Sequence, residues 1–230
     1  MNTKSQNNEL QQESVLKEPF YTKCRKGGEA VSMIYNRTNL SDFPSFRQIG
    51  LLTQPLFSFA FSHLCDSLKK IGLISDTHGY LDENVFKHFE TCDEVWHAGD
   101  FGPVEIANRL RSFKPLKGVF GNIDGQDIRS EFPEQLIFDC EEVKVLIRHI
   151  GGYPPKYNPE TKKELLVHKP QLFVCGHSHI LKIMYDEKIN CLHINPGAAG
   201  KQGWQKVRTI VRFEIDGKEM KNCEVIELGK

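Results

Sequence analysis

Residues 68–79 read LKKIGLISDTHG, and this stretch decides the fold of the chain. A compact apolar run over residues 71–75 is followed at once by a polar turn that contains Asp76 and His78. An apolar run of this length that stops at turn-forming residues is typical of a buried β-strand. We therefore predict a strand whose carboxyl end presents an aspartate and a histidine to a loop.

From residue 69 onward the sequence alternates such apolar runs with amphipathic stretches. The predicted strands span residues 71–75, 94–97, 117–120, 135–139, 143–149, 171–175, 181–185, 191–194, 207–215 and 223–228, and the predicted helices span residues 84–91, 105–113 and 159–168. Strands that alternate with helices come first, and strands with a period of two come last. This order predicts parallel βα units followed by antiparallel strands, in an α/β fold.

Polar side chains follow five of the predicted strands at the point where each strand ends. These candidate metal ligands are Asp76, His78, Asp100, Asn122, His149, His177 and His179. Because the carboxyl ends of strands in an open α/β sheet line one crevice, distant positions of this kind can converge on a single site. Carboxylate, amide and imidazole donors without a cysteine suit Mn²⁺, Fe or Zn²⁺ better than a structural thiolate zinc site.

The composition narrows the class of function. Lys and Arg number 30, as do Asp and Glu, so the formal net charge is zero and no basic excess favours a long phosphate backbone. The seven cysteines are scattered and form no C-x-x-C pair, which indicates buried thiols in a reducing compartment. The apolar stretch at residues 51–65 is too short and too polar to span a membrane. We therefore expect a cytoplasmic protein with no membrane partner, for which nucleic acid is not the favoured ligand.

The ligand candidates resemble the successive signatures of the calcineurin-like metallophosphoesterase family: D-x-H, G-D, G-N, a lone histidine, and G-H-x-H. Residues 74–79 and the N-P-G-A run at residues 195–198 are similar to a small bacterial phosphodiesterase branch related to the retromer scaffold subunit. The resemblance covers about residues 69–230. It implies a four-layer α/β/β/α sandwich, in which two mixed sheets lie back to back with helices outside and the metal site lies at one edge.

This resemblance also implies a set of ligand roles. Asp76, His78 and His179 would bind one divalent ion, and Asn122, His149 and His177 would bind the other. Asp100 would bridge the two ions. Mn²⁺ is the favoured metal, with Fe, Zn²⁺ or Ni²⁺ as alternatives. Two such ions clamp a phosphoryl group and activate a bridging water, so the implied reaction is hydrolysis of a small phosphodiester, or of a phosphomonoester, by a metal-bound hydroxide.

One position departs from the family pattern. Many relatives carry a histidine after the G-N asparagine, where it assists the leaving group, but this chain has Ile123 there. Isoleucine cannot transfer a proton. Asp124, another side chain or metal-bound water would have to substitute, or the enzyme would prefer esters with good leaving groups.

Residues 1–67 form the other departure. They are polar at the start and lack sustained periodicity, while residues 68–71 look like the usual M-K-K-I start of the family with leucine in place of methionine. We therefore hypothesise that residues 1–67 are a disordered or dispensable leader, or an over-extended reading of the gene. The phosphoesterase domain would then span residues 68–230.

Several further polar residues have a structural interpretation beside a functional one. His97 is expected to be a core histidine that hydrogen-bonds behind the ligands, His193 is similar, and Asn195 is expected in a structural turn that flanks the site. The G-G-Y-P-P loop at residues 151–155 would shape one wall of the substrate entrance, where Tyr153 could stack on the substrate. Lys201 and Lys206 could attract an anionic substrate, although a solvated loop is the simpler interpretation.

Two alternative functions stay open at this point. A non-catalytic scaffold on the same fold would tolerate eroded ligands, whereas all seven positions here are chemically competent. A small metallonuclease would use the same metal centre, but the zero net charge favours a smaller substrate. The sequence does not decide whether the chain forms homo-oligomers.

Overall fold

A computed structural model describes residues 19–26, 29–36 and 68–230, with side chains from residue 68 onward. The strands are β1 (Pro19–Lys26), β2 (Glu29–Asn36), β3 (Lys69–Ile74), β4 (Glu94–His97), β5 (Leu116–Gly118), β6 (Gln135–Cys140), β7 (Val143–Arg148), β8 (Gly152–Tyr153), β9 (Lys156–Tyr157), β10 (Leu172–Val174), β11 (Lys182–Asp186), β12 (Cys191–Asn195), β13 (Arg208–Asp216) and β14 (Glu219–Gly229). The helices are α1 (Asn84–His88), α2 (Val104–Phe113), α3 (Gln126–Glu131) and α4 (Pro159–His168).

The larger strands form two mixed sheets. The first has the order β2-β1-β14-β13-β3-β4-β5, in which β3, β4 and β5 are parallel and β13 runs antiparallel to β3. The second has the order β11-β12-β10-β7-β6, in which β10 is parallel to β7 and β12. The parallel strands are the ones whose carboxyl ends carry the predicted ligands.

The hydrophobic core lies between the two sheets and continues on their outer faces. Ile71, Leu73 and Phe213 of the first sheet pack in one cluster with Val145 and Ile147 of the second. Buried residues of α1, α2 and α3 form a cluster with the outer face of the first sheet, and Leu165 of α4 belongs to a cluster on the outer face of the second. Because each sheet is covered on both faces, the molecule is the predicted α/β/β/α sandwich.

Local sequence chemistry explains where the elements begin and end. In α4 the side chain of Asn158 accepts a hydrogen bond from the amide of Glu160 at 3.0 Å, and Pro159 occupies the first turn. The helix ends where Lys169 takes a left-handed conformation with φ of 48°. Gly72 in β3 lies so close to α1 that a Cβ there would be 2.6 Å from the Phe89 ring. The absence of a side chain at this position lets the helix pack against the sheet.

Most predicted elements agree with the structure to within two residues at each end, and three differences have physical reasons. The helix predicted over residues 84–91 is shorter, since α1 ends at His88. Helix α3 was not predicted, because its six residues bury one apolar side chain, Ile128, and show no period. The two-residue strands β8 and β9 lie in the G-G-Y-P-P region and were too short to be detected.

The N-terminal region differs from its prediction in two segments. Strands β1 and β2 pair with each other in antiparallel fashion, and β1 pairs in parallel with β14, so these segments extend the first sheet instead of being disordered. Both are rich in aromatic and β-branched residues, which favour strands. The rest of the predicted leader lies outside the described residues, as does the apolar stretch at residues 51–65. Within the described part, no helix is long and apolar enough to cross a membrane.

Candidate metal centre

Five strands, β3, β4, β5, β7 and β10, deliver the predicted ligands to one edge of the sandwich. The hydrogen-bond ladder between β3 and β4 continues past the strand ends, since the amide of Asp76 donates to the carbonyl of Gly99 and the amide of His78 donates to that of Asp100, both at 3.0 Å. In the second sheet the amide of Gly176 donates to the carbonyl of His149 at 3.0 Å. These bonds fix the loops in register, so the polar side chains meet as the sequence predicted.

The first group of ligands is formed by Asp76, His78 and His179. Nε2 of His179 lies 3.2 Å from Oδ1 of Asp76 and 3.1 Å from Nε2 of His78. The other oxygen of Asp76 accepts hydrogen bonds from the Ser75 hydroxyl at 2.6 Å and from the His177 amide at 3.1 Å. The carboxylate is therefore held with Oδ1 facing the two imidazoles.

The second group is formed by Asp100, His149 and His177, with Asn122 beside them. Nε2 of His149 lies 3.2 Å from Oδ2 of Asp100 and 3.2 Å from Oδ1 of Asn122. The same amide oxygen is 2.8 Å from Nδ1 of His177. All four side chains thus lie together at one place, and their binding of a second ion stays a prediction.

Asp100 lies between the two groups. Its Oδ2 atom is 3.2 Å from Nε2 of His149 and 3.6 Å from Nε2 of His78, which belongs to the other group. Its Oδ1 atom accepts a hydrogen bond from the amide of Ile123 at 3.0 Å. This is the position that a bridging carboxylate would occupy.

Left-handed backbone conformations are concentrated at the site. Nine non-glycine residues of the described chain have a positive φ, and five of them are predicted ligands: Asp76, His78, Asp100, His177 and His179. Such conformations cost free energy and persist where the surrounding structure enforces them, often at functional sites. The four others, Glu141, Lys169, Asn190 and Asn222, are not predicted ligands.

Glycines next to the ligands permit a very close approach between loops. A Cβ at Gly121 would lie 2.0 Å from Oδ1 of Asp100, and one at Gly176 would lie 2.1 Å from Oγ of Ser75. Neither position tolerates a side chain without displacing Asp100 or the Asp76–Ser75 pair. This confirms the prediction that glycines precede ligands because the backbone must pass close to the site.

Hydrogen bonds to the ring nitrogens that face away from the site orient the histidines in a way that suits divalent cations. Nδ1 of His149 lies 2.7 Å from the carbonyl oxygen of Ala98, which can only accept, so Nδ1 carries the proton. In the neutral ring, Nε2 then presents a lone pair to the oxygens of Asp100 and Asn122. Imidazole nitrogens that converge with carboxylate and amide oxygens form a donor set that suits a transition-metal ion.

His179 is oriented in the same way. Its Nδ1 lies 3.1 Å from Oε1 of Gln205, whose amide nitrogen donates to the carbonyls of Gly200 and Gln202. The amide orientation follows from those two carbonyl acceptors, so Gln205 accepts from His179. Nε2 of His179 is left facing Asp76 and His78.

The pKa shifts reflect the same crowding of carboxylates and imidazoles. The hydrogen bond that His179 donates to the Asp76 carboxylate raises the pKa of His179 against the opposing effect of burial. Burial lowers the pKa of His149, but the hydrogen bond and charge of Asp100 and the charge of Asp76 outweigh it, so this pKa is raised. Burial and the neighbouring His149 lower the pKa of the more exposed His177. Burial would raise the pKa of Asp100, yet His149 and the Ile123 amide hold it below its usual value.

His97 has the supporting position that was predicted for it. Its ring is fully buried, its Nδ1 accepts from the Gly99 amide at 3.1 Å, and its Nε2 lies 3.1 Å from the Thr77 hydroxyl. Burial holds its pKa well below the usual value, so the ring is neutral. Because Thr77 also contacts the carbonyl of Asp100 at 3.3 Å, His97 positions the loop that carries the ligands.

Asn195 and His193 follow each other on β12 but differ in their surroundings. The amide nitrogen of Asn195 donates to the Gly176 carbonyl at 2.8 Å, so the N-P-G turn supports the second histidine loop as predicted. His193 is buried, but neither ring nitrogen has a hydrogen-bond partner among the described residues, which corrects the expectation of a satisfied core histidine. Burial lowers its pKa to about 4.

Asp124 has a structural role that the sequence did not indicate. Its side chain accepts hydrogen bonds from the amides of Asp100 at 3.0 Å, Gly121 at 2.7 Å and Gly102 at 2.9 Å, and the residue is 4% exposed. Both oxygens are occupied as acceptors, and they tie two ligand loops together. This geometry argues against the predicted role of Asp124 as a proton donor.

Three other supporting residues were also missed. Ser75, Gln205 and Arg129 contact the ligand loops, and Arg129 does so by donating to the carbonyls of Asp124 and Gly121. Ser75 was adjacent to a signature and could have been suspected. Gln205 and Arg129 lie in loop and helix stretches without a motif, so no local signal pointed to them.

A cavity of about 370 Å³ adjoins the second ligand group. Asn122 and His149 form part of its wall, together with Ile150, Arg129 and Arg148. Arg148 is paired with Glu134 at 2.9 Å and with Glu160 at 2.6 Å, so its charge is largely neutralised. Tyr153 lies beside the Lys182 ammonium, with Nζ 3.4 Å from the ring centroid, and its predicted contact with substrate stays a prediction.

Comparisons with known proteins agree with this geometry. The family model described as "Calcineurin-like phosphoesterase superfamily domain" matches residues 70–218. A probable metallophosphoesterase of Methanothermobacter thermautotrophicus is 27% identical over 164 residues, which make up 69% of this chain and 92% of that protein.

Two solved structures illustrate the fold likeness. A Vps29 variant from Entamoeba histolytica has a TM-score of 0.56 and 17% identity, and the match covers 70% of this chain and 99% of that one. A conserved Streptococcus pneumoniae protein described as a predicted phosphoesterase has a TM-score of 0.52 and 21% identity, with 72% and 91% covered. Both confirm the predicted fold class.

Proposed function

Since this chain belongs to the calcineurin-like phosphoesterase superfamily, we propose that it hydrolyses small phosphodiesters with the help of two divalent metal ions. Use of divalent metal and phosphoester hydrolysis agree with the family and with the two ligand groups. The phosphodiester preference, the number of ions and the choice of Mn²⁺ are parts of the proposal.

One observation carries the proposal more than any other. Asp100 stands between a group that contains Asp76 and a group that contains His149, with its Oδ2 atom within 3.6 Å of an imidazole nitrogen from each group. A single structural ion would need one such group. Two groups that share a carboxylate suit a pair of ions that together contact one phosphoryl group.

The chain itself contributes orientation. Asp76 is held by Ser75, His149 by the Ala98 carbonyl, and His179 by Gln205, so each donor atom is fixed before any substrate arrives. Such supporting hydrogen bonds determine the tautomer and direction of metal-binding side chains. When bound, two divalent ions supply positive charge that neutralises phosphoryl oxygens and lowers the pKa of a water molecule towards neutrality.

The leaving group receives less help from the chain. Ile123 lies at the rim of the centre with 46% of its surface exposed, and it offers no proton. Asp124 is buried and occupied as an acceptor. We therefore infer that the enzyme acts best on esters whose leaving groups depart without protonation, such as nitrophenyl diesters.

The test is hydrolysis of a chromogenic diester and a chromogenic monoester with added Mn²⁺. Wild type is compared with His149→Ala and Asp100→Asn, and with His168→Ala as a matched control on helix α4, away from the ligand loops. We expect activity in wild type and control, with a loss of at least ~100-fold in the two site variants. Equal rates in all four proteins would refute the catalytic function.

The non-catalytic scaffold is the alternative, since the Vps29 likeness concerns the same fold. The ligand set argues for the enzyme, because all seven predicted ligands are chemically competent and converge. A nuclease is less favoured, as the net charge of the chain is zero. A cytoplasmic location, the absence of a nucleic-acid partner and the oligomeric state stay predictions.

A further inference from the structure

A second cavity, of about 470 Å³, is bounded by the loop that holds Gln205 against His179. Its described lining residues are Lys201, Gln205, Lys206, Arg208 and Lys230. Four of the five are cationic, and none of the described lining residues is acidic. Cationic walls around a recess concentrate the positive potential there, and the volume falls within the roughly 300–1,000 Å³ of small-molecule sites.

Arg208 forms the buried wall of this cavity. The residue is 6% exposed, and its guanidinium donates to Asp82 at 2.9 Å and to the Leu228 carbonyl at 2.8 Å. Its Nε–H is buried and has no hydrogen-bond partner among the described residues. Arg208 is therefore held in place by Asp82 and by the Leu228 carbonyl, and it places a fixed positive charge at the wall of the recess.

The nearby Asp82 carboxylate is already paired with Arg208, so it does not neutralise the lysines of the recess. The hydrogen bond from the Asn84 amide, and then the paired Arg208 guanidinium, lower the pKa of Asp82. Lys201 packs its ammonium 4.1 Å from the Tyr80 ring centroid, which leaves its charge at the edge of the recess. The described lining is therefore strongly positive in a chain whose net charge is zero.

The loop between β12 and β13, which lines the recess, contacts both loops of the first ligand group. Gln205 contacts Nδ1 of His179 at 3.1 Å, and Lys201 contacts Tyr80, which follows Asp76, His78 and Gly79 in the first ligand loop. The recess thus adjoins the first ligand group on the side opposite Nε2 of His179.

We propose that this basic recess binds a phosphate group. The group is either free inorganic phosphate or a second phosphate carried by the substrate, and the second source rests on the proposed function. The proposal gives Lys201 and Lys206 a role in phosphate binding, where the sequence alone favoured a solvated loop. If the source is the substrate, the preferred ester has two separate phosphates.

Binding is measured with the full chain and inorganic phosphate, at constant ionic strength and with a chelator present to keep phosphate off bound metal. Of the two tryptophans, Trp96 is buried, while Trp204 is fully exposed between Gly203 and Gln205 and reports on the recess by fluorescence. Calorimetry repeats the titration without relying on Trp204. The double variant Lys201→Gln/Lys206→Gln is compared with wild type and with Lys188→Gln, which removes one lysine in the turn between β11 and β12.

We expect saturable binding in wild type and in Lys188→Gln at the same midpoint, and a midpoint at least ~10-fold higher in the double variant. No saturable binding by either method, or equal midpoints in all three proteins, would overturn the proposal.

A kinetic comparison identifies the source of the phosphate. With Mn²⁺ added, KM is measured for a diester with one phosphate and for a diester that carries a second one. A larger increase of KM for the second substrate in the double variant assigns the recess to the substrate. Equal KM changes for the two substrates, together with saturable binding of inorganic phosphate in the wild type, assign the recess to free phosphate. Failure to hydrolyse any ester would refute the proposed function, while the titration would still decide whether the recess binds phosphate.

Discussion

Nε2 of His149 lies 3.2 Å from Oδ2 of Asp100. A backbone group fixes each side chain: His149 hydrogen-bonds to the Ala98 carbonyl, and Asp100 accepts from the Ile123 amide. The contact joins the exits of strands from different sheets. It therefore depends on how closely the two sheets approach at this edge, and the glycines there control that distance.

Substitution Gly121→Ala tests the close packing around Asp100 on the first-sheet side of this contact. The new Cβ would lie 2.0 Å from Oδ1 of Asp100, so the aspartate or the loop must move. We expect a loss of about 1–3 kcal/mol in the free energy of unfolding, together with weaker Mn²⁺ binding. Thermal or chemical unfolding measures the first and calorimetry the second. Gly125→Ala is the control, because a Cβ there meets nothing within 4 Å; equal behaviour of the two variants would contradict the close-approach argument.

Gln205 is expected to control the affinity of the first ligand group for metal. Gln205→Leu removes the acceptor of the His179 Nδ1 proton and frees the ring to rotate. Loss of such a partner typically weakens metal binding by about 10–100-fold. A Mn²⁺ titration of the variant, beside Gln202→Ala in the same loop, measures the change. An unaltered affinity in Gln205→Leu would mean that His179 does not need this support.

The sequence anticipated these ligands because each one ends an apolar strand and has a characteristic neighbour. Asp76 with His78, and His177 with His179, are local patterns, and the α/β order then brings them together. Gln205 and the three backbone amides bound to Asp124 could not be foreseen in the same way. They depend on where separate loops come to lie, such as those of Asp100 and Asp124 or of His179 and Gln205, which the local pattern does not encode.

Substitution Ile123→His tests the missing proton donor. Ile123 is 46% exposed beside Asn122, so an imidazole can be accommodated there. We expect the variant to hydrolyse esters with poor leaving groups at least ~10-fold faster, with little change for nitrophenyl diesters, because general-acid catalysis helps only the former. Rates across a series of leaving groups measure the difference. A uniform gain or loss across the series would contradict this explanation of the isoleucine.

His193 is expected to make the protein sensitive to acid. Its pKa is about 4 in the folded chain, against 6.5 for the unperturbed group, so the unfolded state binds more protons between these values. Stability is therefore complete above about pH 6.5 and is lost as the pH falls towards 4, by a total on the order of 3 kcal/mol. His193→Leu should flatten this part of the stability curve, whereas His88→Gln on helix α1 should not. Denaturant unfolding from pH 4 to 7 tests this, and parallel curves for wild type and His193→Leu would contradict it.

The fold was more predictable than its N-terminal extension. Apolar runs such as residues 71–75 are decisive because they are buried on both faces, and the period-two strands from residue 181 identify the antiparallel half. Strands β1 and β2 were missed, because their composition favours strands but no sustained alternation marks them, and their pairing with each other and with β14 is a tertiary contact. The unsatisfied burial of His193 was also unforeseeable, since it results from tertiary packing against Phe173 and Tyr157.

The most direct test of the central claim is to count and examine the metal ions bound by the purified chain. The protein is saturated with Mn²⁺, dialysed and analysed for metal content and by electron paramagnetic resonance. We predict two ions per chain with the spectrum of a magnetically coupled pair, and loss of that coupling in Asp100→Asn. No bound Mn²⁺, one ion per chain, or two uncoupled ions in the wild type would contradict the account.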